Sequence, residues 1–267
     1  MSTSRFYKYQ GTGNDFLLGD NRSGHYSLLT SSVIEKLCDR RFGIGADGLI
    51  LLEVGSTADH FSMRYFNADG KPGSFCGNGA RCITQFAYQL GIASDEYIFT
   101  AADGTHRSRR EPDGSVSLLM QPVKALHFQD KDIFVDTGSP HLVVAVNELD
   151  TTDVVAVGRS IRNNERYRSE GINVNFVQRT ADPNSIRIRT YERGVEDETY
   201  SCGTGAVAAA LTFAADKKGT QQLEVQTKGG SLLVQFEKEG VEYVNIWLRG
   251  PATFVFEAIP DPQLLLP

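Results

Sequence analysis

Two short runs in the sequence carry the residue types from which acid–base chemistry is built. The first is Cys76-Gly77-Asn78-Gly79-Ala80-Arg81. The second, Cys202-Gly203-Thr204-Gly205-Ala206-Val207, follows 126 residues later. Given a cysteine, Gly-x-Gly-Ala follows it by chance on the order of once in a thousand, and here it follows two of four cysteines. Each run reads as a cysteine at the mouth of a glycine turn that opens a helix. The N-terminus of a helix carries about half a unit of positive charge and unpaired N–H groups. A thiol placed there is drawn from about 8.5 toward neutrality, and a carboxylate can dock on the neighbouring amides. Glycines at 77, 79, 203 and 205 let the backbone approach a ligand closely. If the two runs face each other, one carboxylate is held between two helix ends with a thiol on each side of its α-carbon. One thiolate then removes the α-proton while the other thiol returns a proton to the opposite face. That inverts the centre, and neither a metal nor pyridoxal is required. The helix ends stabilise the developing carbanion, and a base tuned near working pH supplies the remainder. Thiols in such an arrangement could also join in a disulfide on oxidation, with activity restored by reductant.

The rest of the chain must position these runs. Residues 5–21 read as two strands joined by Gly11-Thr12-Gly13, with Asn14 and Asp15 at the exit of the turn. Ser32-Val33-Ile34-Glu35 resembles a capping box and predicts a helix to about Asp39. The glycine-rich loop Phe42–Gly48 leads into an apolar strand at 49–53. It lacks the Gly-Lys-Ser/Thr of a P-loop and opens no helix, so a nucleotide site is rejected. A strand at 61–66 feeds the turn Asn67-Ala68-Asp69-Gly70 and then the first cysteine run. Apolar residues at 80, 83, 86, 87 and 90 predict a helix closed by Gly91. Strands near 97–102 and 115–120 follow, with Pro112-Asp113-Gly114 between them. Pro122 and the polar stretch at 124–131 mark a domain boundary. Residues 133–146 then repeat the strand–glycine turn–strand of residues 6–18. A strand at 186–191 leads through Glu192-Arg193-Gly194 to the second cysteine run. The helix at 206–215 is apolar nearly all round, which predicts burial on every side. A hairpin at Lys228–Ser231, a strand near 243–248 and the tail GPATFVFEA close the chain. Gly13, Asn14 and Asn67 recur 125 positions later as Gly138, Ser139 and Glu192. Two similar α/β domains related by a pseudo-twofold axis would account for this spacing.

Composition narrows the function classes. At 267 residues, 40% hydrophobic and 22% charged, the chain is long enough for a substantial core. A net charge of −6 argues against nucleic acid. No apolar run approaches the roughly 18 residues of a membrane span. No secretory signal is visible, and four cysteines then predict a reducing, cytoplasmic setting. They lack the spacing of a zinc or thioredoxin-type motif.

GTGNDF (11–16), DRRFGIGADG (39–48), FNADG (66–70), CGNGARC (76–82), GSPH (138–141), INVNF (172–176), YERG (191–194), CGTGA (202–206) and GPAT (250–253) together resemble the diaminopimelate epimerase family over the whole chain. The resemblance implies an α/β (α+β) fold of two pseudo-symmetric domains, each a curled mixed sheet around a central helix, with the site in the cleft between them. The domains would be residues 1–122 and 123–253, with the tail 254–267 packed back on the first. It implies cofactor-independent interconversion of LL- and meso-diaminopimelate, serving lysine and peptidoglycan precursor synthesis, and a homodimer. It makes Cys202 the proton acceptor and Cys76 the donor in the LL-to-meso direction, with His141 and Glu192 adjusting the thiols. Amides of Gly77, Asn78, Gly203 and Thr204 would hold the reacting carboxylate. Asn14, Asn67, Asn173, Glu192 and Arg193 would read the remainder of the substrate. An Arg193 fork to the distal carboxylate and a Glu192 acceptor for the distal ammonium make chemical sense. Three positions depart from the family. Ser139 stands where many members have Asn, Gly48 where some have Gln, and Phe256 where Tyr is frequent near the dimer interface.

Plainer readings compete. Cys38 and Cys82 read as core thiols, Asp69-Gly70 as turn chemistry, and Arg81 as structural or electrostatic. His141 could be a loop histidine, Glu192–Arg193 a solvated ion pair, and Asn14 and Asn67 turn residues. Rival functions are a racemase of the same fold acting on proline, hydroxyproline or histidine, and a thiol redox or binding protein. The latter predicts that Cys76→Ser leaves any isomerase activity untouched.

Overall fold

Residues 4–56, 60–129 and 131–266 are described by the computed structural model; Met1–Thr3, Asp130 of the boundary stretch and Pro267 of the tail lie outside them. The first elements are β1 (Phe6–Gly11), β2 (Asn14–Asp20), α1 (Ser31–Cys38), β3 (Gly48–Glu53), β4 (Phe61–Asn67), α2 (Gly77–Gln89), β5 (Tyr97–Ala101), β6 (Gly104–Arg110) and β7 (Val116–Leu119). Next come β8 (His127–Gln129), β9 (Asp132–Asp136), β10 (Pro140–Ala145), α3 (Val154–Arg162), β11 (Asn173–Arg179), β12 (Ser185–Glu192) and β13 (Asp197–Thr199). Then come α4 (Gly203–Phe213), β14 (Gly219–Thr227), β15 (Gly230–Glu239), β16 (Glu242–Gly250) and β17 (Thr253–Ala258), followed by a 3-10 turn at Pro262–Leu265.

The chain separates into two units, Met1–Leu118 with Pro251–Pro267, and Leu119–Gly250. In the first, the strands run β17-β1-β2-β3-β4-β5-β6-β7. All neighbours are antiparallel except β2–β3 and β4–β5, which are parallel. In the second, the order is β8-β9-β10-β11-β12-β14-β15-β16. Again only the third and fifth pairings, β10–β11 and β12–β14, are parallel. A parallel pair needs a crossover, and each crossover carries a helix. Helices α1 and α3 span the first parallel pair of their units, α2 and α4 the second. The fold is therefore mixed α/β and built twice. Even the turns match: Gly13 between β1 and β2 has φ 88°, and Gly138 between β9 and β10 has φ 87°.

Each unit is organised on its second helix. Helix α2 packs on β1, β2, β3, β4 and β6, while α4 packs on β9, β10, β11, β12, β14, β15 and β16. Ala206–Leu211 are fully buried, as an all-apolar helix requires, and the run of alanines lets the strands come close around it. Strand β3 reads GLILLE without alternation because both its faces are covered. Leu49 and Leu51 meet Val33, Ile34, Leu37 and Cys38 of α1. Ile50 reaches α2, where a Cβ on Gly79 would lie 2.7 Å from its Cδ1.

Local details differ from expectation in three places. Helix α1 is capped by Thr30, whose hydroxyl accepts the Val33 N–H at 3.4 Å, and Ser32 lies inside the first turn. Strand β6 intervenes between β5 and β7, so the Asp113 turn joins β6 to β7. Helix α3 was not foreseen at all; Asp153 caps it through the Ala156 N–H at 3.0 Å.

Candidate active site

Cys76 is the N-cap of α2, at φ −123° and ψ 113°, and its carbonyl accepts the Ala80 N–H at 2.8 Å. Its side chain makes no capping bond. The first amides of α2, which have no acceptor within a helix, are therefore not taken up by the thiol. The Sγ atom lies 3.9 Å from Asn14 Oδ1, which also accepts Asn78 Nδ2 at 3.3 Å. Asn14 leaves β2 at its first residue, and its Nδ2 donates to Asp47 Oδ2 at 2.5 Å. Behind it, Asp15 meets Lys8 at 2.6 Å and Arg40 at 2.7 Å. Burial works to raise the Asp15 carboxyl, but the Arg40 and Lys8 cations hold it well below the usual carboxylate range. The turn that carries Asn14 is thus fixed by a charged cluster. Asn67 ends β4 and is exposed; its backbone closes the Asn67–Lys71 turn, with the Gly70 N–H donating to its carbonyl at 2.9 Å.

Cys202 repeats the geometry in the second unit. It is the N-cap of α4 at φ −117° and ψ 111°, its carbonyl accepts Ala206 N–H at 2.9 Å, and it too makes no capping bond. Its Sγ lies 3.5 Å from the Thr204 hydroxyl. Gly205 is required here, because a Cβ would sit 2.3 Å from Asn175 Oδ1. Asn175 is fully buried and donates through Nδ2 to Leu142 O at 3.2 Å, while its Oδ1 accepts the Thr190 hydroxyl at 3.0 Å. Those partners orient the amide, so the 3.1 Å contact with His141 Nδ1 makes that nitrogen an acceptor and leaves the proton on Nε2. His141 is fully buried on β10, and Nε2 has no partner among the described residues. Burial, with the nearby charge of Arg193, pushes the imidazole down to about 3. Full burial on a strand excludes the surface-loop reading of His141.

Asn173, Glu192 and Arg193 are held by backbone and strand register. Asn173 pairs with His141 across the parallel β10–β11 ladder. Its Nδ2 donates to Ser139 Oγ at 2.9 Å and Pro140 O at 3.1 Å, and its Oδ1 accepts the Arg193 N–H at 2.9 Å. Glu192 ends β12, half-buried, and accepts the Thr199 hydroxyl at 2.9 Å. Burial raises its carboxyl above the ordinary range, against the pull of the Thr199 bond. Arg193 is exposed and donates to Glu170 O at 3.0 Å. No ion pair joins Glu192 to Arg193 among the described residues.

In the first unit the structure brings Cys76, Asn78 and Asn14 together. In the second it brings His141, Asn173 and the Arg193 backbone together, and the Asn175 network ties them to the start of α4. Asp47, Asn175 and Thr199 support the site but were not singled out from sequence. Asn175 had a signal, since it alternates with Asn173 on one strand and therefore shares its face. Gly48 is explained by Tyr65, whose ring would lie 2.6 Å from a Cβ there, with Phe66 O at 2.4 Å. All four cysteines are free thiols, Cys38 and Cys82 in the core. Burial pushes both core thiols up to about 12. Among the described residues no cluster of three His, Cys, Asp or Glu stands ready for a metal ion.

Comparison with known proteins bears on both sequence and fold. The chain matches the diaminopimelate epimerase family over residues 6–126 and 133–255. It is 46% identical over 254 residues to a diaminopimelate epimerase of Flavobacterium psychrophilum, covering 95% of this chain and 98% of that one. It is likewise 46% identical over 256 residues to one from Chlorobaculum tepidum, covering 92% and 97%. Among solved structures, a phenazine biosynthesis protein of the PhzF family from Bacillus anthracis aligns with a TM-score of 0.73 at 16% identity, over 97% and 99% of the two chains. A probable proline racemase from Agrobacterium radiobacter gives 0.66 at 16% identity, over 96% and 92%. At those identities the likeness is one of fold.

Proposed function

Because this chain belongs to the diaminopimelate epimerase family, an isomerase family, we propose that it interconverts LL- and meso-2,6-diaminopimelate by two-base proton transfer at the α-carbon. The observation that carries this is the duplicated N-cap cysteine. Cys76 and Cys202 share one backbone conformation at the start of matching helices, each followed by glycines and by amides with no helical acceptor. In the LL-to-meso direction Cys202 accepts the α-proton and Cys76 donates one; the reverse reaction exchanges the roles. The amides of Gly77, Asn78, Gly203 and Thr204 hold the reacting carboxylate, where negative charge grows in the transition state. Asn14, Asn67, Asn173, Glu192 and Arg193 read the substrate, several of them at its distal amino-acid end. His141, neutral at working pH, acts as a fixed dipole and brings no charge to the thiols. The product would feed lysine and peptidoglycan precursor synthesis.

Incubation with LL-diaminopimelate in D₂O tests the reading. Deuterium should enter the α-position and meso product should form, with both lost in Cys76→Ala and Cys202→Ala. Product without solvent deuterium, or undiminished turnover in either variant, would refute it. Selective turnover of proline would instead favour a racemase of the other substrate class.

A homodimer in the cytoplasm completes the proposal. In support of the dimer, β17 pairs with β1 and exposes Phe254, Val255 and Phe256; no helix among the described residues is long and apolar enough to cross a membrane. Light scattering on the purified chain would test the dimer.

A further inference from the structure

Arg81 is completely buried, yet among the described residues no carboxylate pairs with it. Its Nη2 donates to Thr12 Oγ1 at 3.1 Å and its Nε to Pro251 O at 3.3 Å, both neutral acceptors. Its Nη1 finds no partner among the described residues. Keeping a guanidinium, which stays protonated, in such a place is costly, so the charge needs a reason. Side chains on a helix lean toward its N-terminus, and this one does. A Cβ on Gly11 would touch both Arg81 Nη2 and Asn78 O at 3.3 Å. The charge therefore lies at the first turn of α2, the turn that Cys76 opens. Desolvation lowers the Arg81 guanidinium, and the groups near enough to oppose this by charge are the sulfurs of Cys82 and Cys76. Cys82 is pushed up to about 12 by its own burial and stays a thiol. Cys76 is the one left. The remaining nearby charges, Asp15 and Asp47 behind Asn14, are countered by Lys8 and Arg40.

The same guanidinium holds the turn in front of the thiol. Thr12 is fully buried at φ 53°, a region a β-branched residue rarely enters. Its hydroxyl is where Arg81 bonds, and the turn it bends presents Asn14 to Cys76 and Asn78. The second unit has no counterpart, because Val207 follows Ala206 where Arg81 follows Ala80.

We propose that Arg81 is a positioning residue for the isomerase site: it sets a fixed positive charge under the first turn of α2 and pins the Thr12–Asn14 turn, making Cys76 the stronger acid of the two thiols. This rests on the two-thiol reading of the site. The stronger acid is the thiol ionised first, so Cys76 rests as the base, its role in the meso-to-LL direction, and takes up a proton before it serves as donor in the LL-to-meso direction.

The test uses the full chain carrying Cys202→Ala, with Cys38 and Cys82 buried, and follows iodoacetamide alkylation of Cys76 against pH, the site located by peptide mass. Arg81→Gln removes the charge and keeps an amide donor; Arg81→Lys keeps the charge and loses the fork. The alkylation midpoint should rise by about one unit or more in Arg81→Gln, an approximately tenfold loss of thiolate below both midpoints. It should stay within about half a unit in Arg81→Lys. An unmoved midpoint in Arg81→Gln, or an equal rise in Arg81→Lys, overturns the proposal. If Arg81→Gln does not fold, the parent midpoint decides. A parent midpoint at or above the free-cysteine value of about 8.5 overturns it without any Arg81 variant. Alkylation does not depend on turnover, so inactivity toward diaminopimelate would sink the substrate assignment and leave this result standing.

Discussion

Gly79 and Gly205 occupy the same place in the two cysteine runs, yet replacing them with alanine should have unequal costs. At Gly205 the new Cβ would lie 2.3 Å from Asn175 Oδ1. Asn175 cannot yield freely, since it is fully buried and bonded to Thr190, Leu142 and His141. Moving its amide breaks at least the Thr190 bond, and a stranded buried polar atom costs about 1–3 kcal/mol. Overpacking adds about 1–3 kcal/mol, and alanine in a helix returns up to about 1. The net expectation is a loss of about 1–5 kcal/mol. At Gly79 the new Cβ meets Ile50 Cδ1 at 2.7 Å, the far end of a flexible side chain, and then Met63 Cε at 3.4 Å. A rotamer adjustment of about 0.5–1.5 kcal/mol is offset by the same helix gain, leaving less than about 1 kcal/mol. Urea unfolding reports the difference. The one tryptophan, Trp247, lies on β16 in the second unit, so its fluorescence follows the Gly205 variant, and far-UV circular dichroism follows both. A fall of about 1–2 M in the Gly205→Ala midpoint is expected at the usual urea dependence. Equal midpoints for the two variants, or a larger loss at Gly79, would refute the reasoning.

Acid should weaken the second unit through His141, whose folded ring titrates at about 3 against about 6.5 unfolded. The unfolded chain binds the proton first, so stability is complete above about pH 6.5 and is lost as pH falls toward 3. The loss by pH 5 is about 2 kcal/mol, and His141→Gln should remove it from the pH 7 to pH 5 difference in Trp247 unfolding; an undiminished loss in that variant would contradict the assignment. On the proposed reading Glu192 must be ionised to hold an ammonium, and burial raises its carboxyl, so kcat/KM should fall on the acid side through a value above the ordinary carboxylate range. Glu192→Gln should lower kcat/KM by about tenfold to a hundredfold, the range of a charged hydrogen bond, and abolish that limb; a pH profile unchanged in shape would rule this out. Gly48→Gln should destabilise the first unit by more than about 2 kcal/mol, because Phe66 O and the Tyr65 ring fill the space. Denaturation followed by far-UV circular dichroism would show it, and a stable variant would mean the backbone there can move.

What could be read from sequence was set by where local and tertiary demands agree. The cysteine runs were legible because glycines at fixed offsets after Cys76 and Cys202 serve the turn and the close approach together. The glycine turns at 13 and 138 were legible for the same reason. Helix α3 was not. Val154, Val155 and Val157 lower helix propensity, and Gly158 interrupts the pattern. That glycine is demanded by another element, since a Cβ would lie 2.4 Å from Tyr191 Cβ. Strand β6 (GTHRSRR) hid its alternation because the residues it buries, His106 and Ser108, are polar. Asn175 was visible as a residue but its burial was not, since only the β10–β11 register brings it to His141.

The duplication carries a deeper consequence than the pairing of two cysteines. Copying a strand–helix frame reproduces backbone angles, and the N-cap geometry of Cys76 and Cys202 agrees within a few degrees. It does not reproduce charge. Beneath the first helix lies a buried guanidinium; beside the second lies a neutral imidazole on a fully bonded amide, with a carboxyl raised by burial on the neighbouring strand end. A two-base epimerase needs one thiol protonated when the other is not, and two identical surroundings would leave that choice to chance. Different neighbours on an identical frame assign it. On the proposed reading, the positions to test for setting the order of proton transfer are Arg81 and Val207, His141 and Phe16, Asn67 and Glu192, where the copies have diverged. Exchanging Val207 for Arg would restore symmetry of charge, and would be expected to lower the alkylation midpoint of Cys202 toward that of Cys76. If the two midpoints already coincide in the parent chain, the divergence of the copies serves substrate fit alone.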